Sequence, residues 1–138
     1  MTMQDCLFCK IVRKEIPAAV VYENGKTMAF LDIKPVNPGH ALVISKEHYP
    51  DFASTPTEIL GEITVVAQRI GKAAMETLGV PAFNIGVNNG RAAGQAVDHM
   101  HLHVMPRVEG DGYQLWHGRP YEEGEMQAVA EKLKAGLG

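Results

Sequence analysis

The stretch Val97-Asp98-His99-Met100-His101-Leu102-His103-Val104-Met105-Pro106-Arg107 sets three of the chain's six histidines at strict two-residue spacing. Successive side chains of a strand point to opposite faces, so His99, His101 and His103 would share one face and Met100, Leu102 and Val104 the other. A row of imidazoles backed by an apolar row is too regular for three unrelated surface or core histidines. Two chemistries fit it. The three rings can chelate one metal ion, as in a metal-dependent hydrolase, or one ring attacks as a nucleophile while its neighbours orient it and bind substrate.

The nucleophile reading accounts better for the residues around the row. Neutral imidazole attacks near pH 7 without a strong base, and a backbone carbonyl accepting the N–H of one ring nitrogen frees the other. Phosphorus is the fitting electrophile, because a phosphohistidine is reactive enough to hydrolyse in a second step. The loop Asn88-Asn89-Gly90-Arg91-Ala92-Ala93-Gly94-Gln95 runs into the row. Its glycines let backbone amides turn toward an anion, and Asn88, Arg91 and Gln95 offer side-chain donors.

The elements that must carry these residues follow from periodicity. Residues 6–15 read as a short amphipathic helix with Asp5 as its cap, Leu7, Phe8, Ile11 and Val12 as its stripe, and Pro17 as its end. Ala19–Glu23 and Thr27–Asp32 read as strands joined by an Asn24-Gly25 hairpin turn of the type that needs positive φ at both positions. A Pro- and Gly-marked connection (34–39) leads to a third strand at His40–Ser45. Thr57–Leu78 is the one long helix, capped by Thr55 or Thr57 and stopped by Gly79 and Pro81. Ala82–Val87 is the fourth strand and the histidine row the fifth. A loop with Tyr113, Trp116 and Tyr121 follows, and Glu125–Leu137 closes the chain as a helix. A hairpin first, with helices interspersed irregularly, points to α+β with an antiparallel sheet.

At 138 residues the chain is most simply one domain, 1–138, able to bury a core unaided. A net charge of −3 without a basic block argues against nucleic acid as a partner. No apolar run approaches the roughly 18 residues of a membrane span. The start, Met-Thr-Met-Gln-Asp, shows no signal-peptide pattern, and Cys6 and Cys9 are too few for a disulfide framework, so the cytoplasm is the expected compartment. Cys6-Leu7-Phe8-Cys9 can itself be a redox pair, two buried small residues, or half of a zinc site.

The segment Gly94-Gln95-Ala96-Val97-Asp98-His99-Met100-His101-Leu102-His103-Val104-Met105-Pro106-Arg107 resembles the histidine triad (HIT) family of nucleotide hydrolases and transferases, whose pattern is His-φ-His-φ-His-φ-φ. Phe8-Cys9-Lys10-Ile11 through Ile16-Pro17, Ala29-Phe30-Leu31-Asp32 and Pro38-Gly39-His40-Ala41-Leu42-Val43-Ile44 fit as well, so the likeness covers about residues 6–115, with 108–138 as a C-terminal loop and helix.

The resemblance implies a HIT-like α+β fold: a five-stranded antiparallel sheet, one long helix and a short N-terminal helix. It implies that His101 attacks the α-phosphorus of a nucleoside phosphoramidate or dinucleoside polyphosphate, giving a nucleotidyl-histidine that water then cleaves, with no metal at that step. His103, Gln95 and Asn88 would hold phosphate oxygens, beside Gly94, and His40 would orient the site. Asp32 would accept from the ribose hydroxyls. Leu7, Phe8, Ile11, Ile33 and Leu42 would wall a purine pocket, with an ordinary core role the competing reading for Ile11 and Leu42. Ala96 departs from the family, many members of which carry Ser or Thr there. Part of the superfamily holds a structural zinc with a Cys pair and two histidines, which here implies Cys6, Cys9, His48 and His99. The likeness also implies a homodimer with one continuous ten-stranded sheet and a C-terminal segment, including Trp116 and His117, near the partner's site. A nucleotide-binding module without turnover is the non-enzymatic alternative.

Overall fold

The computed structural model describes residues 3–138. Its elements are α1 (Leu7–Val12), β1 (Val20–Glu23), β2 (Thr27–Leu31), β3 (Ala41–Ser45), α2 (Thr57–Thr77), β4 (Ala82–Gly86), β5 (His101–Arg107) and α3 (Glu125–Leu137). The five strands form one sheet in the order β1-β2-β3-β5-β4, with every neighbouring pair antiparallel. The α+β reading of the sequence is therefore right, and so is the single long helix. Among the described residues no helix is long and apolar enough to cross a membrane.

Both faces of the sheet are covered. On one side α2 lays Ile63, Val66 and Ala67 against Ala29, Val43, Met100, Leu102 and Val104. On the other, α1 brings Cys6, Phe8, Cys9 and Ile11 onto Met28, Phe30, Leu42 and Ile44. Alternation along β2 and β3 supplies one apolar row to each layer, which is why these central strands read as nearly continuous apolar runs. On β5 the alternation sends Leu102 and Val104 toward α2, leaving His101 and His103 on the α1 side.

Several local expectations shift. The last strand starts at His101; Val97, Asp98 and His99 form a bend, held by His99 N–H donating to the Val97 carbonyl at 2.9 Å. Cys6, not Asp5, caps α1: its sulfur accepts from the Cys9 amide at 3.4 Å. Pro56 stands at the N-cap of α2 without a side-chain bond, while Thr55 donates to the Asp51 carbonyl and Thr57 is already helical. The hairpin loop is Gly25-Lys26, one step later than expected, and neither Asn24 nor Gly25 has positive φ. Asn24 Oδ1 accepts the amides of Lys26 and Thr27, both at 2.8 Å, so a side chain closes the turn in place of a left-handed backbone.

Candidate active site

His101 is the most constrained ring of the site. Its Nδ1 lies 2.7 Å from the His99 carbonyl oxygen. A carbonyl only accepts, so Nδ1 carries the proton and Nε2 keeps its lone pair. Phe8, held on α1, packs edge-on against the ring with centroids 5.1 Å apart. Burial pushes the His101 pKa down despite the carbonyl bond and the more distant Asp32 charge, which favours the neutral, nucleophilic form.

His103 and His40 form a second ordered pair. The Val36 amide donates to His40 Nδ1 at 3.0 Å, so the neutral His40 ring carries its proton on Nε2. That Nε2 donates to His103 Nδ1 at 2.9 Å, which puts the His103 proton on its own Nε2. The result is a relay of fixed tautomers ending in a donor, suited to a phosphate oxygen. Burial lowers both pKa values, that of His103 to about 4. His40 reaches this position because Gly39 turns the chain with φ 96°, where a Cβ would meet Leu78 Cδ1 at 2.6 Å.

Asp32 stands beside this pair, its Oδ2 3.7 Å from His40 Nε2 and its Oδ1 accepting from the Lys34 amide at 2.8 Å. Ile33 is almost fully exposed and Leu7 partly so, open to a ligand, whereas Ile11 and Leu42 are buried in the core with Phe8. Asn88 is half-buried and its Nδ2 lies 3.5 Å from the Gly94 carbonyl, at the mouth of the loop. Gln95 is the clear departure from expectation. It is buried, its Oε1 accepts from the Gly90 amide at 2.7 Å, and its Nε2 donates to the carbonyls of Pro50 and Val97 at 2.7 and 3.0 Å. Both ends of the amide are committed to the backbone, so Gln95 builds the loop instead of holding phosphate. Arg91 is likewise paired, with Asp98 at 3.2 Å. Trp116 and His117 lie exposed, apart from this constellation.

His99 turns away from the other two rings and joins Cys6, Cys9 and His48, whose ligating atoms all lie within 4.8 Å of one another. His99 Nε2 donates to the Ser45 carbonyl at 2.6 Å, leaving the Nδ1 lone pair toward the sulfurs. His99 Nδ1 is 3.4 Å from Cys6 Sγ and 3.6 Å from Cys9 Sγ, and His48 Nδ1 is 3.3 Å from Cys9 Sγ. Zinc bonds of about 2.3 Å to sulfur and about 2.05 Å to nitrogen at a tetrahedral angle separate S and N by about 3.6 Å. The four residues therefore fit a closed Cys₂His₂ zinc site. Burial and the neighbouring Cys6 raise the Cys9 thiol to about 11, against a smaller lowering by the Arg13 charge. Among the described residues no cluster of metal-ligating side chains joins His99, His101 and His103, so a single ion on all three does not match the geometry.

The HIT domain model matches residues 13–110, and the chain belongs to the histidine triad family. It is 49% identical over 107 residues to an uncharacterised HIT-like protein of Methanocaldococcus jannaschii, covering 78% of this chain and 82% of that one. It is 37% identical to the adenosine 5′-monophosphoramidase of Schizosaccharomyces pombe, with 95% and 97% of the two chains covered. Among solved structures, a zinc-bound histidine triad protein from Mycobacterium smegmatis superposes with a TM-score of 0.78 at 38% identity, covering 98% and 99% of the chains.

Sequence reasoning missed Val36, which contributes only a main-chain amide to His40 Nδ1, and no side-chain motif encodes such a group.

Proposed function

We propose that the protein is a nucleotide hydrolase or transferase that cleaves a nucleoside phosphoramidate or dinucleoside polyphosphate through a nucleotidyl-His101 intermediate. The carrying observation is the His101 Nδ1–H bond to the His99 carbonyl at 2.7 Å, which frees Nε2 for attack. In this reading Nε2 bonds to the α-phosphorus and the leaving group departs. The positive charge that develops on the ring is shared through Nδ1–H with the carbonyl. His103 Nε2–H, fixed by His40, binds a phosphate oxygen, and water then cleaves the N–P bond. Asp32 accepts from the ribose, while Leu7, Phe8 and Ile33 line the base. Asn88 and Gly94 border the phosphates. The S. pombe relative's name, together with the family's resemblance, supports a small purine nucleotide as substrate.

Zinc held by Cys6, Cys9, His48 and His99 is structural in this reading and supplies no chemistry to the nucleophile. A homodimer in a reducing cytoplasm, where Cys6 and Cys9 stay reduced and able to hold the metal, completes it.

The test is to incubate the protein with adenosine phosphoramidate and diadenosine tetraphosphate, quench, and locate the adduct by peptide mass spectrometry. Adenylate on His101, with at least a thousandfold loss of kcat/KM in His101→Ala, is the expected outcome. Equal turnover by that variant would refute the mechanism. Binding of adenosine monophosphate with no turnover of either compound would favour the non-catalytic module.

A further inference from the structure

We propose that Asp111, acting through Asn37, is a positioning residue for the His40–His103 pair; this rests on the nucleotidyl-transfer reading above. Asp111 lies beyond the end of β5, yet its side chain is only 5% exposed. Arg107 grips it with two parallel bonds, Nε to Oδ2 at 2.7 Å and Nη2 to Oδ1 at 2.9 Å. The same guanidinium donates to Asn84 Oδ1 on β4 and to the Tyr113 carbonyl, so the carboxylate is tied to the sheet and to the departing chain.

From this anchor a continuous path runs to the reactive rings. Asn37 Nδ2 donates to Asp111 Oδ2 at 3.0 Å and to the Pro106 carbonyl of β5 at 2.9 Å. The Asn37 carbonyl accepts the His40 amide at 3.1 Å, and the Val36 amide holds His40 Nδ1. Pro35 and Pro38 contribute no N–H to this turn. The Asn37 side chain is thus its hydrogen-bonded tie to β5, the strand that carries His103. One clamp therefore grips both sides of the imidazole pair and sets the approach of His40 to His103.

A bidentate pair with a buried acid is worth more than a surface ion pair. Arg107 first, then the Tyr113 amide, holds the Asp111 carboxyl well below the usual carboxylate range. The anchor stays ionised under all conditions in which the rings are neutral.

The test compares Asp111→Asn and Asn37→Ala with the wild type by residue-resolved amide exchange and by steady-state kinetics on adenosine phosphoramidate. The Val36 amide reports directly on the His40 ring. Its protection should fall at least tenfold in both variants while the β2–β3 ladder keeps its protection. In the kinetics, kcat should fall at least tenfold with KM within twofold. Unchanged Val36 protection, an equal loss across the β2–β3 ladder, or a rise in KM alone would overturn the assignment. Failure of the wild type to turn over nucleotide would overturn the proposed function, and amide exchange would still decide the clamp.

Discussion

At the scale of single residues the site is a set of imidazoles kept neutral by burial and sorted by what each ring faces. A histidine whose folded pKa lies below its unfolded value binds fewer protons folded than unfolded on the acid side. Its stabilising effect is complete above the unfolded value, near pH 6.5, and is lost as pH falls toward the folded one. His103, at about 4, and His40, lowered in the same sense, should make the protein less stable at pH 4.5 than at pH 7.5. Thermal unfolding at the two values checks this, and an equal or higher midpoint at pH 4.5 would contradict it. The same neutrality predicts that kcat/KM stays level from pH 8 through 6.5 and declines only below it. A decline centred at or above 6.5 would mean that the rings are not desolvated as described.

The elements explain how a short motif acquires such geometry. Helix α1 has only six residues, fewer than an isolated helix needs to persist in water. It stands because Phe8 and Ile11 pack into the sheet and because Cys6 and Cys9 meet His48 and His99. Purified protein should therefore carry about one zinc per chain, by elemental analysis, if the site fills as its S–N distances suggest. Chelation should lower the thermal midpoint of the wild type but not that of Cys9→Ala. On the other face, Ile63 is fully buried between α2 and the sheet, and Ile63→Ala should cost about 2–5 kcal/mol in urea unfolding. Much of this architecture was legible in the chain. Turn and Pro/Gly signals marked off the first four strands, period-two alternation located the fifth, and the long apolar stripe bounded α2 to within a residue. What escaped were contacts made by the backbone or closed by a distant side chain. The Gln95 amide looked like an anion donor because its spacing from the row is right, but three backbone groups reach it first. The Asn24-Gly25 pair looked like a left-handed turn, but the Asn24 carboxamide offered the backbone a cheaper closure.

For the whole molecule, the described residues leave both edges of the sheet, β1 and β4, without a strand partner. Helix α3 carries no buried residue, although Met126, Val129, Leu133 and Leu137 recur along it at helical spacing. A second copy pairing along β4 would remove the edge and give the ten-stranded sheet that the family resemblance implies. Light scattering should then return twice the 15.0 kDa chain mass, and a monomer mass at micromolar concentration would rule this assembly out.

The acceptor that sets the His101 tautomer is a peptide oxygen of His99, not a side chain. No codon change can delete it, and any amino acid at position 99 would supply it. The first member of the triad is thus released from the chemistry its spacing suggests, and its ring is free to serve another purpose. The trait a point mutation at 99 alters is the fastening of α1, whereas the His101 ring takes its orientation from a main-chain carbonyl and from Phe8 packed edge-on against it.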